Sequence, residues 1–321
     1  MSDKPTVWIS RKLSDNTITR AQQNYNVILN SDDTISAAGK IVEMSNKVDA
    51  IIPCHSEMFS ADVVKQLGDR LKIIANHSVG VDHCDLPALK ARGITVTNTP
   101  DVLSDATAEI AMLLLLGAAR RAAEGDQLVR NHQWDSWSPG FMVGHQVTGK
   151  TLGIVGMGRV GQVMARRARG FDMNVHYYNR NRLLPELEQG AQFHSTLESL
   201  LPIASYVSLH CPATPETTNL INSDSLSLLP DNAILVNTAR GYLIDEDALI
   251  AALESGKLAA AGLDCFKTEP GGNPALSAFN NVFMLPHIGS ATFETRDAMG
   301  YRALDNLDAF FAGSEPTDKL V

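Results

Sequence analysis

Positive charge is the first thing this sequence is short of. Lys and Arg number 27 against 36 Asp and Glu, for a formal net charge of −9. General binding of nucleic acid needs a basic face toward the phosphates, so that class is set aside. The run Arg166-Arg167-Ala168-Arg169 is local and reads as the solvated side of a helix. Cysteine is scarce too: four residues, Cys54, Cys84, Cys211 and Cys265, lie far apart. None forms a CxxC pair or stands at His/Cys ligand spacing, which argues against a disulfide scaffold and against a metal site. His83-Cys84-Asp85 does not change this, because adjacent residues on a strand or helix point in different directions. Reduced thiols in a cytoplasmic setting are expected. Long apolar runs are missing. The longest, 110–119, is too short to cross a bilayer and reads as a buried helix. Met1 leads into a polar stretch and then a strand, so no secretory leader and no membrane partner are expected.

What the chain has in abundance is alternation. At 321 residues it is long for one core and predicts two domains. Its 44% hydrophobic and 20% charged residues are those of an ordinary globular protein. Strand patterns over 6–10, 26–29, 50–54, 72–76 and 95–98 alternate with helical ones such as 60–67 and 86–92. A long helix over 100–123 and a loop over 131–149 follow, the loop bearing Trp, Pro and Gly. Further strands read at 151–155, 174–178, 206–210, 233–237, 261–264 and 282–285, with a last helix at 292–311. Strands separated by helices predict parallel sheets covered on both faces: an α/β fold with two doubly wound domains.

The richest segment is 150–182. Gly156-Met157-Gly158-Arg159-Val160-Gly161 sits between the strand at 151–155 and a helix, with a second strand behind it. In that setting the glycines give a tight turn, close approach to a pyrophosphate and close helix–strand packing. The helix N-terminus offers free N–H groups to phosphate. An NAD-binding fold usually carries an acid at the end of the second strand for the ribose 2′-OH. Here the chain reads Asn179-Arg180-Asn181-Arg182, with no acid until Glu186. A guanidinium binds a 2′-phosphate that a carboxylate repels. NADP(H) is therefore the expected cofactor, NAD(H) remains possible, and Arg180 and Arg182 are the expected phosphate ligands. A solvated basic loop is the other reading.

Ligands of open α/β sheets bind beyond the carboxyl ends of the strands. Hydride transfer to a ketone leaves charge on oxygen and needs a proton donor, and a small acid substrate needs its carboxylate held. Arg240, Glu269 and His287 stand at strand ends and suit these tasks. A carboxylate bonded to His287 favours the imidazolium. His210 also follows a strand, and spacing alone leaves the choice between the two histidines open.

Several runs together resemble the D-isomer-specific 2-hydroxyacid dehydrogenase family. They are Thr238-Ala239-Arg240-Gly241, the stretch from Gly262 through Asp264 and Glu269 to Pro270, Pro286-His287-Ile288-Gly289-Ser290-Ala291-Thr292, Ser78-Val79-Gly80-Val81-Asp82 and Asp105-Ala106-Thr107-Ala108-Glu109. With the glycine turn, they span nearly the whole chain. The resemblance implies that His287 is the acid/base, that Glu269 tunes it and that Arg240 is catalytic. It implies that the Val79 and Gly80 N–H groups hold the substrate carboxylate. Around the cofactor it implies Thr107, Arg159, Val160, Asn179, Cys211, Pro212, Thr217, Thr238, Ala239, His287, Gly289 and Asp264, the last near the nicotinamide amide. It further implies a discontinuous flavodoxin-like substrate domain (1–99 with 288–321) and a Rossmann cofactor domain (100–287). Within the family the sequence is most similar to the glyoxylate/hydroxypyruvate reductase group. Trp134-Asp135-Ser136-Trp137-Ser138-Pro139 resembles a loop those enzymes push toward the partner's active site in a homodimer, where Trp137 would limit pocket size. An aromatic that only anchors the interface is the other reading. The function expected is NADPH-dependent reduction of glyoxylate or hydroxypyruvate to a D-2-hydroxy acid. Two alternatives stay open: a reductase of 2-ketogluconate or longer keto acids, and a dinucleotide-sensing, corepressor-like binding protein.

Overall fold

β-branched side chains lose little by lying on a pleated surface, and the runs rich in Val, Ile and Thr are the strands. The computed structural model describes residues 4–321. It divides into two compact units: one runs to Leu103 and takes in Ser290–Val321, the other is Ser104–Gly289.

In the first unit, β1 (Thr6–Ile9), β2 (Asn26–Leu29), β3 (Ala50–Ile52), β4 (Ile73–Ala75) and β5 (Thr95–Thr97) form one sheet, ordered β2-β1-β3-β4-β5. Every pairing is parallel, and the order is the flavodoxin-like one. Successive side chains go to opposite faces. Val7, Ile9, Ile52 and Ile73 meet Ala303, Leu304 and Leu307 of the Phe293–Phe311 helix. Trp8, Ile51, Ile74 and Val96 pack on the other face with Ile41, Val64 and Leu89. Fully burying one large apolar side chain contributes about 1.5–3 kcal/mol, so both layers are strongly held.

The second unit carries β6 (Thr151–Val155), β7 (Asn174–Tyr178), β8 (Gln192–His194), β9 (Tyr206–Leu209), β10 (Ala233–Asn237), β11 (Leu258–Leu263) and β12 (Val282–Met284). Their order is β12-β11-β10-β9-β6-β7-β8, again all parallel. This is the doubly wound dinucleotide-binding order with one further strand. Leu114, Leu115 and Ala118 of the Ser104–Ala119 helix share a core with Ile154, Val236 and Ala260 on one face of the sheet. Leu209, Leu235 and Leu263 pack with Leu249 and Leu253 of the Glu246–Glu254 helix on the other.

The two parallel α/β sheets are as expected, but the edge strand β8 (Gln192–His194) was not among the strands read from the sequence, and several boundaries differ. The helix expected over 100–123 is Ser104–Ala119, followed by a second helix, Ala122–Arg130. Asp101 (φ 70°) and Arg121 (φ 56°) are left-handed, and a left-handed residue cannot continue an α-helix. The Arg121 guanidinium holds Glu124 by two bonds of 2.8 Å, tying the corner to the new helix. The helix between β1 and β2 is Asp15–Asn24, in which only Thr17 and Ala21 are buried; the Ser14 hydroxyl caps it by accepting from the Thr17 N–H.

Candidate functional site

Strand order reverses between β6 and β9, and in open α/β sheets ligands bind at such a switch point. Gly156 follows β6 there with φ 96°, a conformation that favours glycine. Its N–H donates to the Tyr178 carbonyl at 3.0 Å, and a Cβ would lie 2.5 Å from the Cys211 nitrogen. A Cβ on Gly161 would strike the Gly156 carbonyl oxygen. Gly158 is different: it caps the Arg159–Arg169 helix with no side-chain bond, and a Cβ on it would face open space. Two glycines thus answer to the protein's own packing, and the third borders an open cradle. The first helical turn has N–H groups left over there, which fits a pyrophosphate. Arg159 is exposed at the start of that helix, and Val160 is half-buried against the core.

The carboxyl ends of β10, β11 and β12 lie side by side. After β10, the buried Asn237 shapes the turn: its Oδ1 accepts from the Ala239 N–H (3.0 Å) and its Nδ2 donates to the Arg240 carbonyl (2.8 Å). Arg240 is half-buried, and its Nη1 donates to the Ala239 carbonyl at 2.7 Å. After β11, Glu269 uses both oxygens. Oε1 accepts the Phe266 N–H at 2.8 Å, and Oε2 lies 2.6 Å from Nδ1 of His287. Nδ1 thus carries its proton toward Glu269, leaving Nε2 for other partners. His287 itself has φ 53°, a left-handed backbone that costs a non-glycine residue about 1–2 kcal/mol.

A buried carboxylate holds that turn. Asp264 Oδ1 accepts the Ile288 N–H and Oδ2 the Gly289 N–H, each at 2.8 Å. Burial raises its pKa above the usual carboxylate value, and these two N–H groups oppose the rise. Expected beside the nicotinamide amide, Asp264 has its oxygens engaged by the backbone that follows His287. Thr107 and Gly289 are its neighbours: a Cβ on Gly289 would approach Asp264 at 3.2 Å and Thr107 at 3.4 Å.

His210 is placed differently from His287. Its Nε2 lies 2.8 Å from the Ser208 hydroxyl and its Nδ1 3.5 Å from that of Thr238, while burial pushes its pKa down to about 4. Cys211, next in the chain, is pushed up to about 11 by burial, so its thiol stays protonated at neutral pH. The Thr217 hydroxyl donates to the Pro212 carbonyl at 2.8 Å and fixes the turn after β9.

Arg180 and Arg182 part company. Arg182 Nε and Nη2 donate to Glu188 at 2.8 and 3.0 Å, and Glu188 also accepts the Tyr177 hydroxyl at 2.7 Å. Arg182 is thus paired with Glu188, with its side chain still largely exposed. Arg180 is exposed, and Asn179 turns its amide to the Asn181 carbonyl at 3.0 Å. In the first unit, the Ser78 hydroxyl donates to the Gly80 carbonyl (2.7 Å) and Asn98 to the Val79 carbonyl (2.9 Å). The Val79 and Gly80 N–H groups have no acceptor among the described residues. Trp134 and Trp137 are 58% and 75% exposed.

Residues 112–289 match the model of the D-isomer specific 2-hydroxyacid dehydrogenase, NAD binding domain. The chain belongs to this family. It is 42% identical to glycerate dehydrogenase of Hyphomicrobium methylovorum over 99% of both chains. It is 43% identical to glyoxylate reductase of Pyrococcus furiosus over 98% of this chain and 94% of that one. Among solved structures, the NADPH-dependent glyoxylate/hydroxypyruvate reductase of Sinorhizobium meliloti, in complex with NADP and malonate, superposes with TM-score 0.88. That similarity is at 31% identity, over 99% of this chain and 97% of that one.

As a 2-hydroxyacid dehydrogenase, the chain is an oxidoreductase with a nicotinamide dinucleotide-binding unit. Two residues important to this site escaped the sequence reading. Asn237, the polar end of an otherwise apolar strand, builds the Arg240 turn. Glu246 accepts the Lys267 N–H (3.0 Å) and Asn273 Nδ2 (3.0 Å), steadying the loop that carries Glu269. An unpaired polar residue ending a strand was the available signal for the first; the second is a contact between distant segments that local pattern does not carry.

Proposed function

We propose that this chain reduces a small 2-keto acid, glyoxylate or hydroxypyruvate, to the D-2-hydroxy acid with NADPH. The observation that carries the reading is the 2.6 Å contact between His287 Nδ1 and Glu269 at the end of β12, in the same unit as the glycine turn. A reduced nicotinamide held by this unit would supply the hydride for the carbonyl carbon. His287, held by Glu269 through Nδ1, gives the proton on Nε2 to the carbonyl oxygen as charge builds there. Arg240 offers its guanidinium to the same oxygen or to the carboxylate, and the Val79 and Gly80 N–H groups hold that carboxylate. Gly156, Gly158, Arg159, Val160 and Gly161 take the pyrophosphate, and Arg180 takes the 2′-phosphate. Thr107, Cys211, Pro212, Thr217, Thr238, Ala239, Asp264 and Gly289 line the remaining cofactor surface. NADPH is kept largely reduced in cells, which sets the direction from keto to hydroxy. Trp137 meets the partner in a homodimer and limits the size of the substrate, in a cytoplasmic enzyme.

The names of the relatives support a small keto acid, and the absence of an acid directly after β7 supports NADPH. The test is NADPH and NADH consumption with glyoxylate, hydroxypyruvate, 2-ketogluconate and longer keto acids. Turnover is expected with the first two, faster with NADPH, and slowed about 10²–10⁴-fold in His287→Ala. No turnover with any keto acid despite tight NADPH binding would leave a dinucleotide-sensing binding protein. Near-normal turnover of His287→Ala would remove the proton donor from the scheme.

A further inference from the structure

On the outer edge of the second unit, far along the sheet from the ends of β10 to β12, two imidazoles face one another. His176 on β7 and His194 on β8 approach with Nδ1 and Nε2 3.0 Å apart. Their protons can be assigned. The Ser199 hydroxyl has one hydrogen, which it donates to the Thr196 carbonyl at 2.9 Å. Toward His194 Nδ1, 3.1 Å away, it therefore accepts, and Nδ1 carries the proton. The lone pair of neutral His194 is then on Nε2, aimed at His176.

We propose that His176 Nδ1 and His194 Nε2 form a binding site for one late first-row divalent cation, Zn²⁺, Ni²⁺ or Cu²⁺. Imidazole suits these ions, and a bound metal holds nitrogen at about 2.0–2.1 Å. Two such ligands stand about 3.3 Å apart at a tetrahedral angle and about 2.9 Å apart at a right angle. The observed 3.0 Å falls between them, so the cation enters with small ring movements. His194 has the outer support usual in metal sites, its far N–H bonded to an oxygen. Both rings are half-exposed, so water completes the coordination. On binding, the His176 proton moves from Nδ1 to its own Nε2, and no net proton is released from the neutral pair. The cation ties β7 to β8 just before Asn179 and Arg180. The site needs no nicotinamide.

The probe is ZnCl₂ titrated into the untagged, cofactor-free protein at neutral pH, followed by calorimetry and by ¹H–¹⁵N correlation of the imidazole nitrogens. One equivalent is expected, with the largest shifts at His176 Nδ1 and His194 Nε2. His176→Gln and His194→Gln should each weaken binding about tenfold or more, and Ser199→Ala several-fold. His287→Gln should bind as the wild type does. Unmoved His176 and His194 resonances at saturating Zn²⁺ overturn the proposal and leave a hydrogen-bonded ring pair. Loss of binding in His287→Gln with retention in His194→Gln overturns it as well. The resonance measurement uses the wild-type chain, so a poorly folding variant does not blunt the test.

Discussion

Replacing Asp264 with asparagine exchanges one carboxylate oxygen for an amide nitrogen and puts the support of His287 under test. In the wild type, two backbone N–H groups that follow His287 each reach a separate carboxylate oxygen at 2.8 Å. A hydrogen bond to a charged partner contributes about 1.5–3 kcal/mol, and a buried donor without an acceptor costs about 1–3 kcal/mol. The amide of the Asp264→Asn variant would keep one acceptor and turn an N–H₂ group toward the other N–H, losing one bond and leaving opposed donors. Against this, the neutral amide avoids burying a charge, the same desolvation that raises the Asp264 pKa. The net expectation is a loss of about 2 kcal/mol. This is comparable to the cost of about 1–2 kcal/mol for left-handed backbone at His287. The strained turn then stops being the dominant conformer. Two kcal/mol is about a thirtyfold change in population, so kcat for glyoxylate reduction with NADPH should fall by roughly that factor. The KM for the keto acid should move much less, because the residues proposed to hold its carboxylate are elsewhere. Chemical unfolding should show a lower midpoint at unchanged slope. An Asp264→Asn enzyme with wild-type kcat and midpoint would refute the idea that this carboxylate holds the His287 turn.

Three further outcomes are expected. Gly161→Ala should lower stability by about 1–3 kcal/mol and raise KM for either nicotinamide cofactor, since its Cβ collides with the Gly156 carbonyl; wild-type melting would show that the helix can slide away. Arg180→Ala should raise KM for NADPH about 10–100-fold, the worth of a lost charge-assisted bond, and leave NADH nearly unchanged, whereas Arg182→Ala should lower the melting temperature and affect both cofactors alike. Equal discrimination in the two variants would contradict the separate placements of these side chains. The Glu188 carboxyl is held down to about 2, first by Arg182 and then by Tyr177. A lowered acid gives stability fully present above its ordinary 4.5 and lost as pH falls through about 2. The stability gap between wild type and Glu188→Gln should therefore close across that window, and a gap independent of pH would be inconsistent with the pairing.

Local pattern reached as far as local chemistry reaches. The glycine turn was legible because strand, turn and helix are contiguous, and Gly156 and Gly161 meet one another within one short turn of chain. Strand ends were legible because a parallel sheet puts its chemistry there, and the alternating patterns gave both sheets except the short edge strand β8, whose Gln-Phe-His run has no β-branched residue. Arg182 shows where such reading stops. Neighbours in sequence, Arg180 and Arg182 look like a matched pair, yet Glu188 is Arg182's partner only because the Pro185–Glu188 turn of helix folds back and Tyr177 shares the carboxylate. Arg121 is a second case. No side-chain period marks a left-handed residue, so the sequence read one helix through a corner.

The histidine choice makes the same point in energetic terms. His210 and His287 both follow strands, and spacing cannot rank them. Their surroundings differ. His210 sits against two neutral hydroxyls, is driven toward the neutral form by burial and is not among the left-handed residues. His287 meets a carboxylate at 2.6 Å, stands on left-handed backbone and is followed by two N–H groups bound to a buried carboxylate. At His287 two acids from the end of β11, Asp264 and Glu269, hold backbone and ring separately. Each can be removed without the other, and removing Asp264 should disturb where the ring stands while removing Glu269 disturbs which nitrogen carries its proton.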